Sequence, residues 1–259
     1  MNLNLHGKHA LVTGATRGIG KSIAFEFAQE GVNLTLVSRD MASMNKLQRE
    51  LEQNYSINVS CFECDMKKRD RFDRLSQIAQ ASPDVDFLIN NAGETMGDDF
   101  FSQDDDAWEI AVEVKLKGYL AAARVFSTSM IERRFGRIIN IVGRTATLPE
   151  PSYLAGSAIN AAIVNMTKNL AKILGDKNIL VNAINPGAIS TERWKKIVTE
   201  RSKIRNIEES ALLRDVIERI PLRKIGEVKD IAGLVVFLCS GYGDYINGAV
   251  LAVDGGSTA

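Results

Sequence analysis

The feature that most constrains this chain is a short apolar run that stops at once on a glycine-rich loop. Ala10-Leu11-Val12 leads into Thr13-Gly14-Ala15-Thr16-Arg17-Gly18-Ile19-Gly20. Apolar residues then fall at helical spacing: Ile19, Ile23, Ala24, Phe27 and Ala28. Strand, glycine loop and helix in that order predict a βα unit whose helix begins inside the loop. Gly14 permits the tight turn, Gly18 lets the backbone approach a bound group, and Gly20 lets helix and strand pack closely. Free N–H groups and the positive end of the helix dipole suit a phosphate at that point.

The rest of the chain repeats the alternation. Strands are predicted at 34–37, 59–63, 87–90, 137–142, 180–185 and 250–253, and helices at 19–29, 44–55, 69–81, 108–130 and 157–174. Strands alternating with long helices give a parallel sheet covered on both faces, and the near-continuous apolar strand runs agree with that. The expected fold is therefore α/β: a Rossmann-type doubly wound parallel sheet with helices on both faces. With 259 residues and no repeat or linker, residues 1–259 read as a single domain. Segment 190–222, where charges crowd around Trp194, directly follows a predicted strand. Ligands bind at the carboxyl ends of such strands, so this segment is expected to form a lid over a substrate.

Composition narrows the partners. Lys plus Arg and Asp plus Glu are 32 each, so the formal net charge is zero, which argues against a dedicated nucleic-acid binder. Cys61, Cys64 and Cys239 are too few for a disulfide scaffold, and the CxxC of Cys61 and Cys64 reads as two ordinary strand residues in a reducing compartment. Asn4 and His6 interrupt the start before an apolar segment forms, and the apolar run 231–239 is about half of what spans a bilayer. A soluble, cytoplasmic protein without a membrane partner is expected. No His, Cys, Asp or Glu cluster has metal-ligand spacing, so no metal is expected.

The second strand ends at Ser38-Arg39-Asp40. A carboxylate in the place of Ser38 would grip ribose hydroxyls and repel a 2′-phosphate. Arg39, with Arg17 from the glycine loop, instead offers two guanidinium groups suited to bidentate phosphate contact. The preferred cofactor is NADP(H) rather than NAD(H), held first by Gly14, Thr16, Arg17, Gly18, Ile19, Gly20, Ser38 and Arg39.

With these residues in view, the chain resembles the classical short-chain dehydrogenase/reductase family over essentially its whole length. The marks are residues 13–20, Asp65 after the third strand, Asn90-Asn91-Ala92-Gly93 after the fourth, Asn185-Pro186-Gly187 followed by Thr191, and Val253-Asp254-Gly255-Gly256. The resemblance implies Asp65 and Met66 around the adenine and Asn91, Ala92 and Gly93 beside the adenosine ribose. It implies Pro186, Gly187, Ile189 and Thr191 around the nicotinamide and pyrophosphate. It also implies a small-molecule substrate and a homo-oligomer, a tetramer or else a dimer.

The family's chemistry rests on an Asn, a Ser, a Tyr and a Lys. Counting from residues 136–141 and from 161–171, the four positions fall on Lys115, Gly143, Gly156 and Asn160. The chain thus resembles a divergent member lacking the Asn-Ser-Tyr-Lys tetrad. Asn and Lys have exchanged places, and the resemblance implies that these two positions meet. Lys115 is a candidate base, since burial near a cationic ring lowers a lysine pKa. Tyr153 is placed to swing its phenol into the space left by Gly156. Arg144 is a candidate for an anionic group of a ligand, and Glu94 for the pocket border. His6 and His9 lie at the other end of the sheet.

Three functions follow. The first is an NADP(H)-dependent oxidoreductase acting on a carbonyl/hydroxyl or enone small molecule, with Lys115, Tyr153 and Asn160 as a non-standard catalytic set. The second is a non-redox hydrolase, dehydratase or isomerase on the same scaffold. The third is a catalytically silent cofactor-binding subunit.

Overall fold

The computed structural model describes residues 2–82, 84–93, 101 and 105–259, without the side chains at 107, 204 and 205. Seven strands form one fully parallel sheet: β1 (His9–Thr13), β2 (Asn33–Ser38), β3 (Val59–Glu63), β4 (Phe87–Asn90), β5 (Gly136–Ile141), β6 (Ile179–Pro186) and β7 (Val250–Val253). Their order is β3-β2-β1-β4-β5-β6-β7. The direction of winding reverses between β1 and β4, which opens a crevice at their carboxyl ends.

Successive strand residues point to opposite faces, and both faces are buried. Ala10 and Val12 of β1, Phe87 and Ile89 of β4, and Ile139 and Ile141 of β5 join one core. Leu11, Leu88 and Ile138, one step along each strand, join the other. The first core is covered by α1 (Gly18–Gln29), α2 (Met41–Asn54) and α9 (Val228–Cys239). The second is covered by α3 (Arg71–Ala81), α5 (Gly118–Arg133) and α6 (Leu154–Leu174). Two more helices, α7 (Glu192–Arg205) and α8 (Glu209–Glu218), fill the 190–222 segment.

Two expectations are corrected. The helix predicted over 108–130 is not continuous: α4 (Asp105–Ala111) passes into a π-helical turn, Val112–Lys117, before α5. The wider turn buries two consecutive residues, Val114 and Lys115. Such turns frequently interrupt helices at functional sites. Helix α9 has no counterpart among the predicted helices. It includes the run 231–239, which has no polar residue to mark a solvent face in the sequence, although the structure buries Ile231, Ala232, Val235, Val236, Leu238 and Cys239 and leaves Gly233 exposed.

Candidate active site

The loops that follow β1 to β6 enclose a cleft of about 690 Å3. The glycine loop forms one end. Gly14 has a φ of +67°, and a Cβ there would stand 3.0 Å from the Ala92 Cα. Gly18, at +54°, faces Thr191 across the loop. Arg17 is the residue before α1, and among the described residues no side chain caps that helix or adds an acid to its first turn. Its N–H groups are thus available to an anion. Thr13 Oγ1 accepts from the backbone N–H groups of Asn91 and Ala92 at 2.9 and 3.0 Å. The Asn91 amide donates to the carbonyls of Thr13 and Gly14 at 3.0 and 3.1 Å, which ties the loop after β4 to the glycine loop.

Of the predicted cofactor residues, Gly14, Thr16, Arg17, Gly18, Ile19, Ser38, Arg39, Asp65, Met66, Asn91, Ala92, Gly93, Pro186, Gly187 and Thr191 all line this cleft. Asp40 lines it too, but its carboxylate is engaged as the cap of α2, accepting from Ser43 N at 2.9 Å. Those hydrogen bonds hold its pKa below the ordinary carboxylate value. Gly20 and Ile189 do not reach the wall. Gly20 lies against the Gly14 carbonyl, where a side chain would not fit. Ile189 is buried in the core and pairs with Gly226 through a parallel bridge, because the chain leaving β6 turns inward there.

At the other end of the cleft stands Lys115, which is buried. Its Nζ donates to the Val142 carbonyl and to Asn160 Oδ1, both at 2.6 Å. Lys115 and Asn160, the two positions expected to meet, are therefore in direct contact. Asn160 Nδ2 donates onward to Thr145 Oγ1 at 2.8 Å. Burial, and after it the positive charge of Arg193, push the Lys115 pKa down from 10.5 to about 7. Gly143, at φ +148°, makes room for this bridge: a Cβ there would stand 2.9 Å from Asn160 Nδ2. A Cβ on Gly156 would overlap the Tyr153 ring, so the phenol occupies the space that Gly156 leaves. Tyr153 lines the cleft, and its hydroxyl accepts from Arg193 at 3.4 Å.

Helix α7 supplies the remaining wall through Glu192, Arg193, Trp194, Ile197 and Arg201, whereas α8 contributes nothing to it. Arg193, Arg201, Glu150 and Thr145 are site residues that sequence reasoning missed. Arg193 and Thr145 adjoin Trp194 and Arg144 in the chain, whereas nothing local marked Glu150 or Arg201. Glu94 lies outside the described residues. The Cys61 and Cys64 thiols are pushed up to about 11 by burial, which argues against a reactive pair. His9 is engaged with Thr35 Oγ1 at 2.9 Å, away from the cleft. Among the described residues no group of three or more His, Cys, Asp or Glu could hold a metal ion, and no helix is long and apolar enough to cross a membrane.

Fold and cleft together define a doubly wound α/β protein with a glycine loop and an uncapped helix start at the switch point of its sheet. Residues 14–258 match the family model described as enoyl-(acyl carrier protein) reductase. The chain is 32% identical over 260 residues to the 3-oxoacyl-(acyl-carrier-protein) reductase FabG of Aquifex aeolicus, covering 99% of each chain. It is 31% identical to the NADPH-dependent reductase BacG of Bacillus subtilis, covering 96% of each. L-sorbose reductase from Gluconobacter frateurii, solved with NADPH and L-sorbose, superposes with a TM-score of 0.93 at 29% identity, over 100% of this chain and 99% of that one. The chain belongs to the short-chain dehydrogenase/reductase family.

Proposed function

We propose that the chain is an NADP(H)-dependent oxidoreductase acting on a carbonyl/hydroxyl or enone small molecule, with Lys115 and Tyr153 in place of the family's usual acid–base set. The observation that carries this reading is a buried lysine amine, fixed by Asn160 and Val142, in the same cleft as a phenol folded over Gly156. The cofactor fits the residues present. The open start of α1 would hold the pyrophosphate, and Arg17 and Arg39 beside Ser38 would hold the 2′-phosphate. Relatives described as NADPH-dependent or solved with NADPH support that choice.

When bound, NADPH supplies the hydride. The protein must supply a proton to the substrate oxygen. An ammonium has three N–H donors. Val142 and Asn160 accept two from Lys115, which leaves one for the substrate oxygen. A pKa of about 7 lets Lys115 give and retake that proton near neutral pH. The Tyr153 hydroxyl is the second donor for the same oxygen. Reduction needs Lys115 protonated, so its rate falls as pH rises through about 7, and oxidation shows the opposite slope.

The test begins with calorimetric titration by NADPH and by NADH. Absorbance of the reduced nicotinamide is then followed over a panel of carbonyl compounds for wild type, Lys115→Ala and Tyr153→Phe. Tighter NADPH binding is expected, with turnover lowered about 10²–10⁴-fold by each substitution. Full activity in both variants overturns the residue assignment. Cofactor binding without turnover on the panel favours the silent subunit, and product without an absorbance change favours the non-redox enzyme. A homotetramer is the proposed assembly, and sedimentation velocity distinguishes it from a dimer.

A further inference from the structure

Two guanidinium groups at the α7 end of the cleft share one carboxylate. Arg144, just after β5, reaches Glu150 at 3.3 Å. Arg201 of α7 stands 3.9 Å from the same carboxylate and donates to Ser152 Oγ at 3.3 Å. Arg144, Glu150 and Arg201 all line the cleft beside Tyr153. Their side chains are 31%, 26% and 29% exposed. They are thus open to a ligand yet sheltered enough for charge to count for more than on an open surface. Each guanidinium carries five N–H donors in a planar fork, and one shared carboxylate cannot satisfy two forks.

The surroundings add positive charge. Arg193 contacts the Tyr153 hydroxyl, and Lys115 lies deeper in the same cleft. The other acid of this wall, Glu192, pairs with Lys195 at 3.1 Å. A second, independent observation lies on α7. Trp194 lines the cleft, and its indole Nε1 is buried with no hydrogen-bond partner among the described residues. A buried N–H without an acceptor is uncommon and costly, so α7 holds beside the arginines a donor that the described residues leave unsatisfied.

We propose that this end of the cleft binds the anionic group of the substrate, a carboxylate or phosphate on a small carbonyl compound, through Arg144 and Arg201, with Glu150 as their internal counterion in its absence. The inference rests on the oxidoreductase reading for its carbonyl, since Tyr153 is the chain neighbour of Ser152 in this cluster. The anion also acts on the chemistry. It offsets the positive charge of Arg193, which disfavours a proton on Lys115, and so promotes the form that reduction requires.

The same contacts would serve a mere latch that ties α7 to the loop before α6, and Glu150→Gln separates the two roles. A latch loses its carboxylate and loosens. An anion site loses its competitor and tightens. The probes are pyruvate against acetone, and dihydroxyacetone phosphate against dihydroxyacetone. Binding is read by tryptophan fluorescence on cofactor-free and NADPH-loaded protein, and turnover by NADPH absorbance.

The anionic member of at least one pair is expected to bind about tenfold tighter or more, and Arg201→Leu and Arg144→Leu each to weaken it about tenfold. Arg201→Lys is expected to retain part of the affinity, Glu150→Gln to raise it, and the loss in turnover to fall on KM rather than kcat. The pair that responds tells carboxylate from phosphate. Equal binding of neutral and anionic members, no binding of either anion, or weaker anion binding in Glu150→Gln overturns the inference. Arginine-dependent anion binding with no NADPH consumed by any carbonyl sinks the oxidoreductase reading and leaves the anion site standing. NADPH consumption with the neutral carbonyls alone does the reverse.

Discussion

At the scale of single residues, Gly143, Gly156, Tyr153, Asn160 and Lys115 act as one interlocking set. Each glycine leaves out a Cβ that would strike a neighbour: the Asn160 amide at Gly143 and the Tyr153 ring at Gly156. Gly156→Ala is therefore expected to push the phenol aside and lower turnover to the level of Tyr153→Phe. Helix content by circular dichroism should hold, because alanine favours a helix over glycine by about 1 kcal/mol. An unchanged rate would mean that the ring has no part in the reaction. Lys115 carries a stability signature of its own. Its folded pKa is about 7 against 10.5 for a free lysine, so between those values the unfolded chain binds more protons. Stability contributed by this group thus rises with pH across that window and is lost as pH falls through about 7. Urea melts of wild type and Lys115→Met should show wild type gaining on the variant between pH 7 and pH 10. The gain should be a few kcal/mol, at about 1.36 kcal/mol per pKa unit. A gap that does not change with pH would mean that Lys115 titrates as an exposed lysine.

At the scale of elements, α7 decides the shape of one wall of the cleft. It starts on Thr191, whose side chain accepts from Trp194 N at 3.1 Å. Loss of such a cap costs about 1 kcal/mol, or roughly 2–4 °C in Tm for a domain of this size. Thr191→Val is expected to show that drop in a thermal melt together with a raised substrate KM, since the first turn carries Arg193 and Trp194. Thr191→Ser should restore both. The β-strands and the glycine loop were readable in the sequence because their signals are local: apolar runs, then glycines at fixed offsets. The π-helical turn at Val112–Lys117 was not, because helical spacing continues on either side of it. What distinguishes the turn is the burial of Lys115 against Asn160 and Val142, which lie far along the chain.

At the scale of the whole molecule, the sheet order brings Arg17 and Arg39 at one end, and Lys115 and Tyr153 towards the other, into a single cleft. A cofactor that binds only the folded chain raises its stability by about 2.7 kcal/mol at a hundredfold excess over Kd. NADPH is therefore expected to raise Tm more than NADH at equal concentration. Arg39→Asp should reverse that order, and an unreversed order would remove Arg39 from the phosphate site. The sequence by itself determined the fold class and the glycine loop, and it pointed to a phosphorylated cofactor through Arg17 and Arg39. Those depend on residues a few positions apart, and the backbone geometry of one βα unit is enough to express them. It also marked Lys115, Tyr153 and Arg144 as candidates. Only the tertiary structure decided how they combine. The bridge from Lys115 to Asn160, the ring over Gly156 and the carboxylate shared by Arg144 and Arg201 join separate segments of the chain. Burial and electrostatics act through space between segments that the sheet brings together, and that distance is set by packing.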